Sequence, residues 1–221
     1  MKKRIAICGN GWSNEFLKIV LDGARRCASG QNIDFLVFMN YSHSQGVAYR
    51  DIGEANIYRL LDYTDVDGII LLSNTFNVPE EIEYLTEKIQ KSHIPAVSLE
   101  LQLKGIDYIG SDNYSGMYDM CNHIIGVHEV QKVAYVSGIK DNEENKVRRK
   151  ALEDVLENYG LFLAEEDVIC GDWNYMDVME KLPVWLDERK ELPGAIICAN
   201  DVMAMAVCAV LKNRGIRVPE D

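Results

Sequence analysis

Gly194-Ala195-Ile196-Ile197-Cys198-Ala199-Asn200-Asp201 is the stretch on which the fold turns. A continuous apolar run after a glycine, with no polar alternation, is the pattern of a parallel strand covered on both faces. The Asn-Asp pair that follows offers side-chain oxygens to cap a helix, and Gly215 ends that helix. The unit is therefore strand, polar turn, helix.

The same unit recurs along the chain. Apolar runs at 4–8, 33–39, 68–72, 96–99, 108–109, 133–136, 168–170 and 195–198 are expected strands. Asn14 can cap a helix whose face carries Phe16, Leu17, Val20, Leu21 and Ala24, with Gly30 after it. Pro79 suits a first helical turn, with Glu80, Glu81 and Glu83 at the amino end and Lys88 and Lys91 at the carboxyl end, as the helix dipole favours. Residues 144–159 form another helix, closed by Gly160, and Pro183 is expected to kink or split the helix around it.

Strands alternating with helices call for parallel sheets. The alternation breaks at 97–109, where two strands follow one another across a short loop, and restarts after Asp112. The expected fold class is α/β: two doubly wound, Rossmann-like lobes, 1–112 and 113–221, hinged near 112–115 around a cleft.

The 221 residues carry a net charge of −12, a field that repels phosphate backbones, so direct nucleic-acid contact by this chain is not expected. No apolar run approaches the ~20 residues of a spanning helix, and no signal peptide is visible, so a soluble cytoplasmic protein with no membrane contact is expected. The six cysteines are scattered without CxxC or histidine at ligand spacing and read as reduced structural thiols. Neither metal nor cofactor is expected.

Ligands of open α/β sheets gather beyond the carboxyl ends of the strands. The loops there hold 10–16, 73–76 with Ser73, 112–115, 138–141, 171–175 and the pair Asn200-Asp201. Gly9-Asn10-Gly11 imitates a dinucleotide fingerprint, but Asn14 replaces its third glycine and Asn40 stands where the distant acid belongs. A strand-to-helix turn explains those glycines as well. Trp12, Phe16 and Trp173 could stack on a planar or sugar-like ligand; Phe16 could equally belong to the core face of its helix. Arg148 or Arg149 could present a planar fork to hydroxyls or a carboxylate. No nucleophile elbow, HExxH or P-loop is present, which argues against an enzyme.

Several segments in order carry a resemblance: Val66-Asp67-Gly68-Ile69-Ile70-Leu71, Ile94-Pro95-Ala96-Val97, Ile109-Gly110-Ser111-Asp112-Asn113, Val133-Ala134-Tyr135-Val136-Ser137-Gly138, Gly171-Asp172-Trp173, Asn200-Asp201-Val202-Met203-Ala204 and Gly215-Ile216-Arg217-Val218-Pro219-Glu220-Asp221. Together they resemble the effector-binding domain of LacI/GalR-type regulators, which is similar to periplasmic sugar-binding proteins. The resemblance implies a type I periplasmic-binding-protein-like, Venus-flytrap fold and a small polar effector, such as a sugar, held by lobe closure in a homodimer. It implies that Asp112 and Arg148 hydrogen-bond the effector, that Trp173 stacks on it and that Asn200 supplies a polar contact. Trp12 and Phe16 match more loosely, and Asp201 and Ser73 join the set from the neighbouring turns. Three departures stand out: no helix-turn-helix before the first strand, Ala151-Leu152 where Gly-Phe is usual, and a stop before the family's last strands. The expectation is a sensor, incomplete at its carboxyl end, whose output module is either DNA-binding or a signalling enzyme. A nucleotide- or sugar-phosphate-using enzyme and a secreted sugar-binding protein of a transporter are the competing readings.

Overall fold

The computed structural model describes residues 2–11, 15–41, 53–76 and 78–220. Two compact units divide the chain, Met1–Ser111 and Asp112–Asp221.

The first unit holds β1 (Lys3–Gly9), α1 (Glu15–Cys27), β2 (Ile33–Met39), a short 3-10 turn at Asn56–Leu60, β3 (Gly68–Leu71), a second at Ser73–Thr75, α2 (Pro79–Ser92), β4 (Ala96–Leu99) and β5 (Asp107–Ile109). Its sheet runs β2-β1-β3-β4-β5, and every pairing is parallel. Alternate side chains of β1 go to opposite faces: Ala6 and Cys8 join Tyr58, Leu71, Leu85 and Ile89 in one core cluster, while Ile7 joins Leu17 and Leu72 in another. The direct β4-to-β5 connection, with no helix between, is where the sequence places the break in rhythm.

The second unit holds α3 (Asn113–Val127), β6 (Val133–Ser137), α4 (Glu143–Asn158), a 3-10 turn at Glu165–Asp167, β7 (Val168–Cys170), α5 (Tyr175–Asp187), β8 (Ala195–Cys198) and α6 (Asp201–Asn213). The sheet order is β7-β6-β8, again parallel, and every residue of the central β6 is buried. α3 packs on α4 and α5 on α6. Leu152, Leu156, Leu182 and Ile197 are among the fully buried side chains of this core, each stabilising it by about 1.5–3 kcal/mol relative to exposure.

The eight expected strands are all present. Of the kink or split expected at Pro183, the split does not occur: α5 runs unbroken through it. Val178, Leu182, Trp185 and Leu186 bury one face of that helix on both sides of the proline, and Trp185 donates its indole N–H to the Glu166 carbonyl at 2.8 Å. Packing of the whole face outweighs one missing amide donor.

The cysteines need a second correction. All six are free, but only Cys8 and Cys121 are fully buried; Cys198 is half-buried, and Cys27, Cys170 and Cys208 are exposed. Burial pushes the thiols of Cys8, Cys121 and Cys198 up to about 12, so they stay protonated and inert at neutral pH.

Candidate functional site

Strand register builds the site in the second unit. Ser137 stands opposite Cys170 and Val136 opposite Cys198. The turns that follow, at Gly138, Gly171 and Ala199, therefore emerge at nearly the same level. The helices after them start there too, and each start is capped by its own side chain. Asn142 accepts from the Asn145 amide at 3.2 Å, Asn174 from Asp177 at 2.8 Å, and Asn200 from Met203 at 2.8 Å. Asp112 does the same for α3, accepting from the Ser115 amide at 3.0 Å.

Arg148, on the second turn of α4, ties these turns together. Its Nε and Nη2 donate to Asn113 Oδ1 at 3.1 and 2.7 Å, Nη2 also reaches Glu144 at 3.2 Å, and Nη1 donates to the Ala199 carbonyl. Its guanidinium carbon stands 5.3 Å from the centre of the Trp173 ring. Arg149 turns elsewhere, to Glu153 and Glu165.

Trp173 is held from several sides. Asp172 and Trp173 both have left-handed backbone, at φ of +48° and +64°, a conformation that costs a non-glycine residue on the order of 1–3 kcal/mol and persists only where surroundings enforce it. The enforcing contacts are on view. Asn200 Nδ2 donates to the Trp173 carbonyl at 3.3 Å, and the Asn174 amide donates to Gly171 O at 3.0 Å. Lys181 Nζ meets Asp172 at 3.1 Å, Asp177 at 2.7 Å and the Cys170 carbonyl at 2.9 Å. The indole lies so close to Gly138 that a Cβ there would fall 2.2 Å from Trp173 Cε2. Below it, buried Asn145 accepts from the Gly138 amide at 2.8 Å and from the Tyr135 hydroxyl at 3.3 Å.

Of the expected site residues, the structure brings Arg148, Trp173 and Asn200 into one network. Asp112 sits at the edge of it as a helix cap. Its carboxyl is held below the usual range by the Ser115 amide and hydroxyl. Its neighbour Asn113, which the sequence reading passed over, is the residue that touches Arg148. Asp201 is exposed in the first turn of α6.

The first unit treats its candidates differently. Ser73 is only 1% exposed, and its hydroxyl lies 2.7 Å from that of Ser98, so it is occupied with the protein rather than open to a ligand. Phe16 packs against the Ile7, Leu17 and Leu72 cluster, the core alternative. Trp12 and Asn14 lie outside the described residues. Gly9-Asn10-Gly11 forms a turn, with Gly11 at φ +82° and its amide donating to Asn40 Oδ1 at 3.2 Å. Asn10 is buried, donating to Glu81 at 2.9 Å and accepting from the Tyr58 hydroxyl. Burial, with the Glu81 carboxylate adding to it, pushes the Tyr58 phenol far up, so Tyr58 stays a neutral donor. Sequence offers no signal for this network, whose Tyr58 and Glu81 lie 48 and 71 residues from Asn10.

Among the described residues no group of three or more His, Cys, Asp or Glu could hold a metal ion, and no helix is long and apolar enough to cross a membrane.

Comparison with known proteins agrees with this architecture. Residues 126–221 match the family described as periplasmic binding protein-like domain. Catabolite control protein A of Priestia megaterium is 31% identical over 160 residues, 71% of this chain and 46% of that protein. The transcriptional repressor PurR of Photobacterium profundum is 25% identical over 173 residues, 77% of this chain and 50% of that protein. The solved Escherichia coli transcriptional repressor ascG superposes with a TM-score of 0.76 at 21% identity, over 99% of this chain and 76% of that one. The chain spans about half the length of the curated relatives it matches.

Parallel α/β units with polar turns level at their strand ends, together with these matches, define a periplasmic-binding-protein-like domain of type I. More narrowly, the relatives and solved structures that it resembles include transcriptional regulators of the LacI family, proteins named for regulation and not for catalysis.

Proposed function

We propose that this chain is the sensor of a cytoplasmic transcription regulator, which binds a small polar molecule, with sugars as the first candidates, and closes its two units on it. The arrangement that carries the reading is Arg148, which links Asn113 at the start of α3, Ala199 at the end of β8 and Trp173 after β7. A single side chain thus senses three separate turns, and a ligand that moves any of them moves the others.

Arg148, Trp173, Asn200 and Asn113 form the centre of the proposed site, with Asp112 and Asp201 at its margin. Binding changes the balance of open and closed forms only through unequal affinity for the two. A homodimer would carry that change to an output module. The net charge of −12 leaves any contact with DNA to such a module.

The test is a titration of a sugar and metabolite panel against the purified chain, following melting temperature and the fluorescence of Trp173 in a Trp12→Phe/Trp185→Phe background. A hit should raise the melting temperature saturably, shift the emission and reduce the radius of gyration in solution scattering. A broad panel leaving all three signals flat would remove the reading. A shift without compaction would remove lobe closure alone.

A further inference from the structure

We propose that the site selects against anions: its occupant is a donor-rich, uncharged or positively charged molecule such as a free sugar or an amino sugar, and phosphorylated or carboxylated compounds are rejected. This rests on the reading of the Arg148 cluster as the effector site and narrows the class of effector.

Arg148 and Lys181 are already engaged by protein acceptors. Holding a phosphate or carboxylate at two points requires a pair of open N–H groups on one guanidinium edge. Nε, Nη1 and Nη2 of Arg148 all donate to protein oxygens, one of them on the Glu144 carboxylate 3.2 Å away. Lys181 has three N–H donors and three protein acceptors, two of them carboxylates. Lys140, in the turn after β6, is exposed, and its field acts on Glu165, beside Arg149.

Helix starts are the other means by which an α/β domain binds anions, through open amides and the positive end of the dipole. Here α3, α4, α5 and α6 each have an amide taken by a cap, Asp112, Asn142, Asn174 and Asn200. A carboxylate sits in that cap or in the first turn of each helix: Asp112 itself, then Glu143 and Glu144, Asp177 and Asp201. An anion arriving at these turns meets negative charge at each helix start and, at each, one amide already taken. Hydroxyl or ammonium donors meet carboxylate oxygens with lone pairs to spare.

The experiment uses inorganic phosphate and D-glucose 6-phosphate as probes, with potassium chloride at matched ionic strength as the control. They are titrated calorimetrically into the wild type, Glu144→Gln and, as an independent way to remove charge at an exposed position, Asp201→Asn. Circular dichroism verifies that each variant is folded. The wild type should show no saturable binding of either probe, and at least one folded variant should gain about tenfold or more in affinity for phosphate, roughly 1.4 kcal/mol. Saturable submillimolar binding of phosphate by the wild type would overturn the inference. So would folded variants that bind phosphate no better than the wild type. The sugar panel is scored separately: if no sugar binds, the sensor reading fails while the phosphate comparison still decides the anion rule.

Discussion

The guanidinium of Arg148 lies 5.3 Å from the ring centre of Trp173, and both of its terminal nitrogens are bonded to protein oxygens. An arginine spent in this way is a structural bridge as well as a candidate ligand contact, and its removal should register in stability before any ligand is added.

Arg148→Ala should lower unfolding stability by about 1–3 kcal/mol, because it removes the ion pair with the half-buried Glu144 carboxylate and the donor to the Ala199 carbonyl. For a chain of this size that corresponds to a melting temperature lower by roughly 2–4 °C per kcal/mol. Urea denaturation at neutral pH measures it. An unchanged midpoint would mean that the bridge contributes nothing.

Gly138→Ala places a methyl group where the Trp173 ring stands, 2.2 Å from Cε2. Overpacking of this kind costs about 1–3 kcal/mol, and the indole should move, with a change in near-ultraviolet circular dichroism. The double variant Gly138→Ala/Trp173→Ala removes the clash, so its loss should be smaller than the sum of the two single losses. Additivity would show that the two positions do not press on each other.

Asn145→Ala should be the most damaging polar change in the second unit. Asn145 is 4% exposed and is the acceptor for the Gly138 amide and the Tyr135 hydroxyl. Each donor left buried without a partner costs about 1–3 kcal/mol. Asn145→Asp keeps an acceptor and should lose less. Chemical denaturation of the two variants side by side reads the difference.

Asp177 makes stability depend on acid pH. Lys181 first, and then the Asn174 amide group, hold its carboxyl below the ordinary value of 3.8. A folded-state value below the unfolded one means that the stabilisation is complete above about pH 3.8 and is lost as the pH falls further towards the folded value. Asp177→Asn should therefore flatten the acid limb of a stability-against-pH curve and leave its shape near pH 7 unchanged. A parallel acid limb in the variant would assign the acid sensitivity to other carboxylates.

The strands were legible because parallel strands covered on both faces have to be apolar without interruption, as β3, β6 and β8 are, whereas β5 is exposed at all three residues and showed only as the apolar pair Tyr108-Ile109. Helix starts were legible for a similar reason: Asn200 caps α6 through a bond three residues away, and so local a bond leaves its mark in local sequence. Pro183 misled because its cost is local while the burial of Leu182, Trp185 and Leu186 that outweighs it is not. Ser73 misled because a serine after a strand looks the same whether it faces solvent or Ser98, 25 residues later. Asn113 was missed beside Asp112 because only the direction of each side chain separates a cap from a partner of Arg148.

The amino-acid sequence by itself determined the two α/β units, the order of their strands along the chain and the turns at which polar groups collect. These follow from burial periodicity and from bonds that span three or four residues. Tertiary structure alone decided what those turns do with their side chains. Arg148 finds its partners 35 and 51 residues away, at Asn113 and Ala199. Trp173 is held by Asn200, 27 residues on. Those distances close only when parallel register brings the ends of β6, β7 and β8 to one level. Hydrogen bonds of 3 Å depend on that level far more steeply than hydrophobic burial does, which is why the fold could be read in advance and the use of Arg148 could not.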